Sequence, residues 1–281
     1  MQMQNSSMLQ DNLSILCLHG HPGSGDAMSV FTQHFWDRGF RVIAPDLRGY
    51  GRSQRQHPIE QPFAMLEHLS DLVNLLENSH IDRCIVLGWS LGGILAMELA
   101  LKFNDLYPGK IAGLILIASA ARPCSSHPKV PWWQVMNTGL AVLAHRLTHR
   151  LLPHSKLAIW LGKRSLLQYL IQQHTTFAYD RIANEGMRAF LQTSKFATKA
   201  LFDAMHQGYD RRQDLARIQV PCLAIAGECD RHITAESSRE TAMLLPNSTW
   251  ICYPQVAHLL PWEIPTQLMA DIDLWLERNG F

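Results

Sequence analysis

The chain alternates short, largely apolar runs with longer stretches whose apolar residues recur every three or four positions. The short runs are Ile15–Leu18, Arg41–Pro45, Cys84–Gly88, Leu114–Ala118, Cys222–Ala226 and Thr249–Tyr253. They are rich in Ile, Leu, Val and Cys without clean alternation, which predicts strands buried on both faces. The periodic stretches Ser29–Arg38, Phe63–Asn78, Leu91–Phe103, Ala235–Leu245 and Pro265–Arg278 predict helices. Pro265 at a first helical position and Gly280 past the end bracket the last of them. Strand and helix in turn predict an α/β fold with a mostly parallel central sheet and helices on both faces.

The alternation stops between Ala120 and about Gln219, where helical periodicity continues with little strand character. A helical cap over 120–219, inserted in a core made of 1–119 and 220–281, accounts for this most simply. Pro123, Pro128, Pro131 and Pro153 break up its helices. On a helical wheel Leu140, Leu143, Ala144, Leu147 and Leu151 share one side, and His145, Arg146, His149 and Arg150 the other. The cap therefore reads as presenting a basic outer face.

Composition narrows the class. With 281 residues, 47% apolar and 17% charged, the chain can bury a sizeable core. A net charge of +1 points to no nucleic acid for the molecule as a whole. Met1 to Asn12 lacks the features of a signal peptide, and Ile111–Ala121 is too short to span a bilayer. A soluble cytoplasmic protein with no transmembrane segment is the expectation. The six cysteines have no regular spacing and no Cys-x-x-Cys, so neither a disulfide framework nor a metal site is indicated. The cap is different: Arg122 through Tyr179 holds seven Lys or Arg and no Asp or Glu. Such a stretch is either a solvated face or an attractor for an anionic substrate, an acidic partner protein or an anionic membrane surface.

The candidate chemistry starts at Gly88-Trp89-Ser90-Leu91-Gly92-Gly93, between a predicted strand and a predicted helix. A serine on a sharp strand-to-helix turn projects its hydroxyl from the sheet, and Gly88 and Gly92 supply the absence of bulk such a turn needs. A serine nucleophile requires a base and a group to orient that base. Of the fourteen histidines, His258 lies in the loop between the last predicted strand and the last helix, where open α/β folds place chemistry. His19 also ends a strand but reads as structural. Asp230 follows the Cys222–Ala226 strand, with Glu228 as near competitor and Asp210 and Asp203 as remote ones. Oxyanion donors are the backbone N–H of Leu91 and, in the glycine-rich loop His19 to Gly25, that of His21. The loop lacks a Gly-Lys-Ser/Thr ending and a Gly-x-Gly-x-x-Gly, which argues against nucleotide binding. Trp89, Arg146 and Arg150 are candidates for a pocket or partner surface, and Trp132, Trp133 and Trp160 for an acyl pocket or the core.

His19-Gly20-His21-Pro22, Asp46-Leu47-Arg48-Gly49-Tyr50-Gly51-Arg52-Ser53, the Ser90 elbow, Asp230 and His258 occur in an order that resembles the α/β-hydrolase superfamily. The resemblance implies a cofactor-free serine hydrolase with the triad Ser90, Asp230 and His258, and a carboxylic ester as substrate. An elbow serine argues against epoxide hydrolases and haloalkane dehalogenases, which carry aspartate there. The superfamily's opening strand pair would be short or missing here. The elbow is also similar to that of the biotin-pathway esterase acting on a pimeloyl carrier-protein methyl ester, for which an acidic carrier protein would be the partner. Carbon–carbon bond hydrolases share the triad, and a ligand-binding sensor is the reading from a different class.

Overall fold

The computed structural model describes residues 13–55, 64–149 and 156–281. Six strands, β1 (Leu13–Leu18), β2 (Arg41–Ile43), β3 (Arg83–Trp89), β4 (Ile111–Ile117), β5 (Cys222–Gly227) and β6 (Ser248–Tyr253), form one sheet in the order β2-β1-β3-β4-β5-β6. Every pairing among them is parallel, with Leu16 opposite Val86, Leu87 opposite Ile115 and Ile117 opposite Ile225. The α/β-hydrolase architecture expected from the sequence is therefore present. The expectation that the opening strand pair is short or missing concerns residues before Leu13, which lie outside the described residues.

The unbroken apolar runs have a simple cause. In β1, Ile15 and Cys17 enter one core cluster while Leu16 and Leu18 enter another, on the opposite face of the sheet. β3 divides in the same way, Ile85 and Leu87 against Cys84 and Val86. Alternate side chains leave opposite faces of a strand, so a central strand must be apolar throughout. One face is covered by α1 (Ser29–Asp37) through Phe31 and Phe35, and by α12 (Pro265–Arg278) through Leu268, Ile272 and Trp275. The other is covered by α2 (Met65–Asn78) through Leu69, Leu72 and Leu76, and by α3 (Leu91–Leu106) through Leu95, Leu99 and Phe103. β4 begins three residues before the predicted Leu114. Gly113, which interrupts its apolar run, lies beneath Trp275, whose ring fills the space of the missing side chain. β2 is shorter than predicted and stops before Ala44 and Pro45.

Between β4 and β5 the described residues hold helices and no strand. These are α4 (Trp132–His149), α5 (Lys156–Gly162), α6 (Leu167–Leu170), α7 (Thr176–Arg181), α8 (Met187–Leu191) and α9 (Lys195–His206), with α10 (Ala235–Leu244) and α11 (Leu260–Glu263) following β5 and β6. Ala141, Val142, Ala144, Leu167, Tyr179 and Ile182 belong to the same core cluster as Trp89 and Trp262. The insertion therefore packs directly on the carboxyl edge of the sheet. Its last stretch joins the helical layer instead, with Tyr209 and Arg211 both bonded to Glu98 of α3 at 2.8 and 2.7 Å.

The structure reverses the sequence-based reading of α4. Leu140, Leu143 and Leu147 are 46, 52 and 62% exposed, whereas His145 is 8% exposed and bonded to Asp180 at 2.7 Å. Arg146 is exposed at the edge of the apolar stripe, its guanidinium donating to the Ala183 carbonyl. Arg150 and Leu151 lie outside the described residues. The wheel grouped Ala144 with the leucines and His145 with Arg146, yet Ala144 and His145 are buried while the leucines and Arg146 are exposed; the buried face is set by Ala141, Val142 and Ala144, small enough for close packing against the core.

Candidate active site

Ser90 stands between β3 and α3 with φ 56° and ψ −116°. A non-glycine residue with positive φ is strained, at a cost of about 1–3 kcal/mol, and persists only where its surroundings fix it. Three contacts fix it here. Its N–H donates to the Ile117 carbonyl of β4 at 2.9 Å. A Cβ at Gly88 would stand 2.3 Å from Gly92 backbone atoms, and one at Gly92 would stand 2.0 Å from the Leu18 carbonyl oxygen. Strand, turn and helix approach so closely that neither position admits a side chain.

His258 follows β6 and is buried, as is Asp230 after β5. Their side chains meet with His258 Nδ1 2.7 Å from Asp230 Oδ2. The other carboxylate oxygen accepts from the backbone N–H groups of His232 at 2.7 Å and Ile233 at 3.0 Å. Asp230 is thus held from both sides and presents one oxygen to the imidazole. The competing acids are engaged elsewhere or open to solvent: Asp203 pairs with Lys199, Asp210 with Arg212, and Glu228 is exposed.

The His258 loop is pinned at three consecutive residues. Ala257 donates its N–H to Glu263 Oε1 at 2.9 Å, the His258 carbonyl accepts from the Trp89 indole at 3.1 Å, and Leu259 donates to the Leu170 carbonyl at 3.0 Å. Trp89 is buried and sets its ring edge-on to Trp262. It is therefore a tie between the elbow and the His258 loop and not a partner surface.

On the other side of Ser90 runs the loop from His19 to Gly25. A Cβ on Gly20 would lie 3.1 Å from Ser90 Cβ and 3.7 Å from its Oγ, so this backbone passes directly over the hydroxyl. His19 anchors the loop, its Nδ1 at 2.8 Å from the Gly20 carbonyl and its Nε2 accepting from the Leu47 N–H at 3.1 Å. Those partners require a neutral ring, and burial pushes its pKa down to about 4. His21 bonds to the Tyr50 hydroxyl at 2.9 Å, and burial, with His19 adding, takes its pKa to about 4 as well. Asp46 ties off the loop's end, accepting from the Gly25 N–H at 2.7 Å and from the Arg52 N–H at 3.0 Å. The Leu91 N–H, first in α3, belongs to the turn whose amides have no partner within a helix.

This arrangement has a counterpart in known proteins. The sequence profile of the alpha/beta hydrolase fold matches residues 14–265. The chain belongs to the alpha/beta hydrolase family. As a hydrolase of that family it is similar to the uncharacterized hydrolase YugF of Bacillus subtilis, 24% identical over 92% of this chain and 88% of that protein. It is also similar to the pimeloyl-[acyl-carrier protein] methyl ester esterase of Hamiltonella defensa, 25% identical over 97% of this chain and 95% of that one. Among solved structures, a thermophilic esterase from Thermogutta terrifontis shares the fold with a TM-score of 0.70 at 23% identity, covering 96% of this chain and 91% of its own.

Within this α/β-hydrolase, three residues near the site were not singled out from the sequence. The His232 ring lies edge-on to His258 with centroids 4.6 Å apart, and His127 lies behind it at 5.3 Å. The position of His232 two residues after Asp230 was the only available signal. Glu263 is buried; one oxygen holds Ala257 and the other accepts from the N–H groups of Gln172 at 2.6 Å and Gln173 at 2.9 Å. It clamps the insertion to the His258 loop. Burial raises its pKa against the pull of those three donors. Glu263→Gln sets an amide NH₂ against a backbone donor. The expected loss is about 1–3 kcal/mol of stability. By displacing His258 it should also lower kcat by on the order of tenfold or more with less change in KM. Thermal unfolding and steady-state kinetics check both; unchanged kcat would remove Glu263 as a positioning residue.

Trp132, Trp133 and Trp160 do not enter the core or line a buried pocket: they are 72, 45 and 52% exposed. Of the cysteines, Cys17, Cys84 and Cys222 are buried, while Cys252 is exposed on edge strand β6.

Proposed function

We propose that this α/β-hydrolase is a serine hydrolase of carboxylic esters working through an acyl-enzyme on Ser90. The observation that carries the reading is the buried Asp230–His258 hydrogen bond, tied through the His258 carbonyl to the indole of Trp89, the residue before a serine held at positive φ. Ser90 Oγ attacks the ester carbonyl while His258 Nε2 takes its proton; His258 then protonates the departing alcohol. Asp230 keeps the imidazole proton on Nδ1 and stabilises the imidazolium. The N–H groups of Leu91 and His21 receive the oxyanion, the first at a helix N-terminus and the second in the loop over Ser90. Water activated by His258 releases the acid. No step calls for a metal or another cofactor. The insertion packed on the sheet edge serves as the cap that closes the site from solvent.

The relative from Hamiltonella defensa supports a narrower reading, in which the ester is borne by an acyl carrier protein. One experiment tests both levels. A fluorophosphonate probe should add to the wild-type protein with a mass shift localised to the peptide containing Ser90. A screen across acyl length and leaving group should then find turnover of soluble esters. Faster turnover of a carrier-bound methyl ester than of the free ester carries the narrower reading, and equal turnover rejects it. An unlabelled Ser90 with no ester turnover would reject the serine mechanism and leave the sensor reading.

A further inference from the structure

We propose that α4 and α5 form a docking face for an anionic bilayer surface. Along α4, Trp132, Met136, Leu140, Leu143 and Leu147 are all exposed and recur at intervals of four, four, three and four residues. That spacing is one helical face, and it points away from the core. The inward face carries Gln134, Ala141 and His145. The outward stripe runs about 22 Å at 1.5 Å per residue. Among the described residues no helix is long and apolar enough to cross a membrane, so this helix would lie in the interface. α5 packs against α4 and adds exposed Leu157 and Trp160.

The charges flanking this face single out its occupant. Lys129, Arg146, Lys156, Lys163 and Arg164 are exposed, and none is paired with an acid among the described residues. Elsewhere exposed arginines are mixed: Arg52 pairs with Asp46 and Arg217 with Asp105, whereas Arg41 donates to the Ser79 carbonyl and Arg83 and Arg231 stack over aromatic rings. What sets this face apart is that its cations cluster in the stretch from Arg122 to Tyr179, which holds no Asp or Glu to neutralise them. Arg164 stacks over Trp160 at 4.3 Å, placing a cation beside an interfacial ring. Apolar residues occupy the middle of the face and cations its margins. A bilayer accepts that arrangement, since the leucines enter the acyl boundary, tryptophan lies at headgroup level and the cations meet lipid phosphates. A second copy would bring unpaired cations together, and an acidic protein would leave the central leucines without a complement.

The test is co-sedimentation of the full-length protein with phosphatidylcholine vesicles, with and without phosphatidylglycerol. The wild type should sediment with the phosphatidylglycerol vesicles, less so at high salt. Leu140→Glu/Leu143→Glu/Leu147→Glu should reduce partitioning by about tenfold or more. Lys156→Ala/Lys163→Ala should lose about 30-fold of the preference for phosphatidylglycerol, at about 1 kcal/mol per cation near the surface. All five side chains lie on the surface, so melting temperatures should stay near the wild type. If the triple variant nonetheless fails to fold, the lysine variant and the salt dependence still decide. Wild-type protein left in the supernatant overturns the proposal, as does a triple variant that sediments like the wild type. A wild-type dimer abolished by the triple variant, or capture of an acidic carrier protein on this face, each without vesicle binding, also overturns it. None of these readouts depends on ester turnover.

Discussion

Ser90→Ala is expected to reduce p-nitrophenyl ester turnover by about 10⁶, the scale on which loss of a serine nucleophile removes covalent catalysis. The variant should fold as the wild type does. Alanine at φ 56° bears the same strain as serine, and the hydroxyl has no hydrogen bond on which the Ile117 tie or the Gly88–Gly92 packing depends. Ser90→Gly separates the two properties of this position. It removes the same nucleophile, yet glycine adopts positive φ without steric cost, so relief of strain offsets the entropy of a freer unfolded chain. The two variants should therefore be equally inactive while Ser90→Gly melts at or above the temperature of Ser90→Ala. Turnover surviving in both would exclude Ser90 as nucleophile. A clearly lower melting temperature for Ser90→Gly would mean that the elbow stores no strain at this residue.

The elbow was legible because its requirements are local. The absence of side chains at Gly88 and Gly92 is needed within five residues of chain, and the strand and helix on either side carry their own periodicity. The sheet was legible for a related reason: a strand feeding two cores must be apolar at every position, as Ile15–Leu18 is. Gly113 hid the start of β4 because the residue filling its place, Trp275, comes from α12. Glu263 was illegible for the same physical cause. Its partners at Ala257, Gln172 and Gln173 are joined only by tertiary packing, and nothing in Pro261-Trp262-Glu263 distinguishes it from a surface acid. For α4, periodicity defines a stripe without its direction. The usual inference, that an apolar stripe faces inward, fails where an outer surface has reason to be apolar.

Asp230→Asn is expected to lower kcat by about 10⁴ while leaving the fold and the site's outline intact. The hydrogen bonds around Asp230 dictate how the amide must sit. The position of Oδ1 faces two backbone donors, the N–H groups of His232 and Ile233, so the asparagine carbonyl oxygen has to take it. The amide NH₂ is then turned toward His258 Nδ1, where Asp230 Oδ2 accepts in the wild type. Nδ1 becomes an acceptor, the ring proton moves to Nε2, and Nε2 can no longer take the proton of Ser90. Nitrogen NMR of the imidazole should report a proton on Nδ1 in the wild type and on Nε2 in the variant. Glu228→Gln is the control. Glu228 lies two residues away but is exposed, and its loss should leave kcat within about twofold, as for other surface substitutions. A loss under tenfold in Asp230→Asn, or a tautomer that does not change, would show that His258 is oriented by something other than this carboxylate. The Trp89 indole and Glu263, which hold the loop from its other sides, would then be the groups to examine.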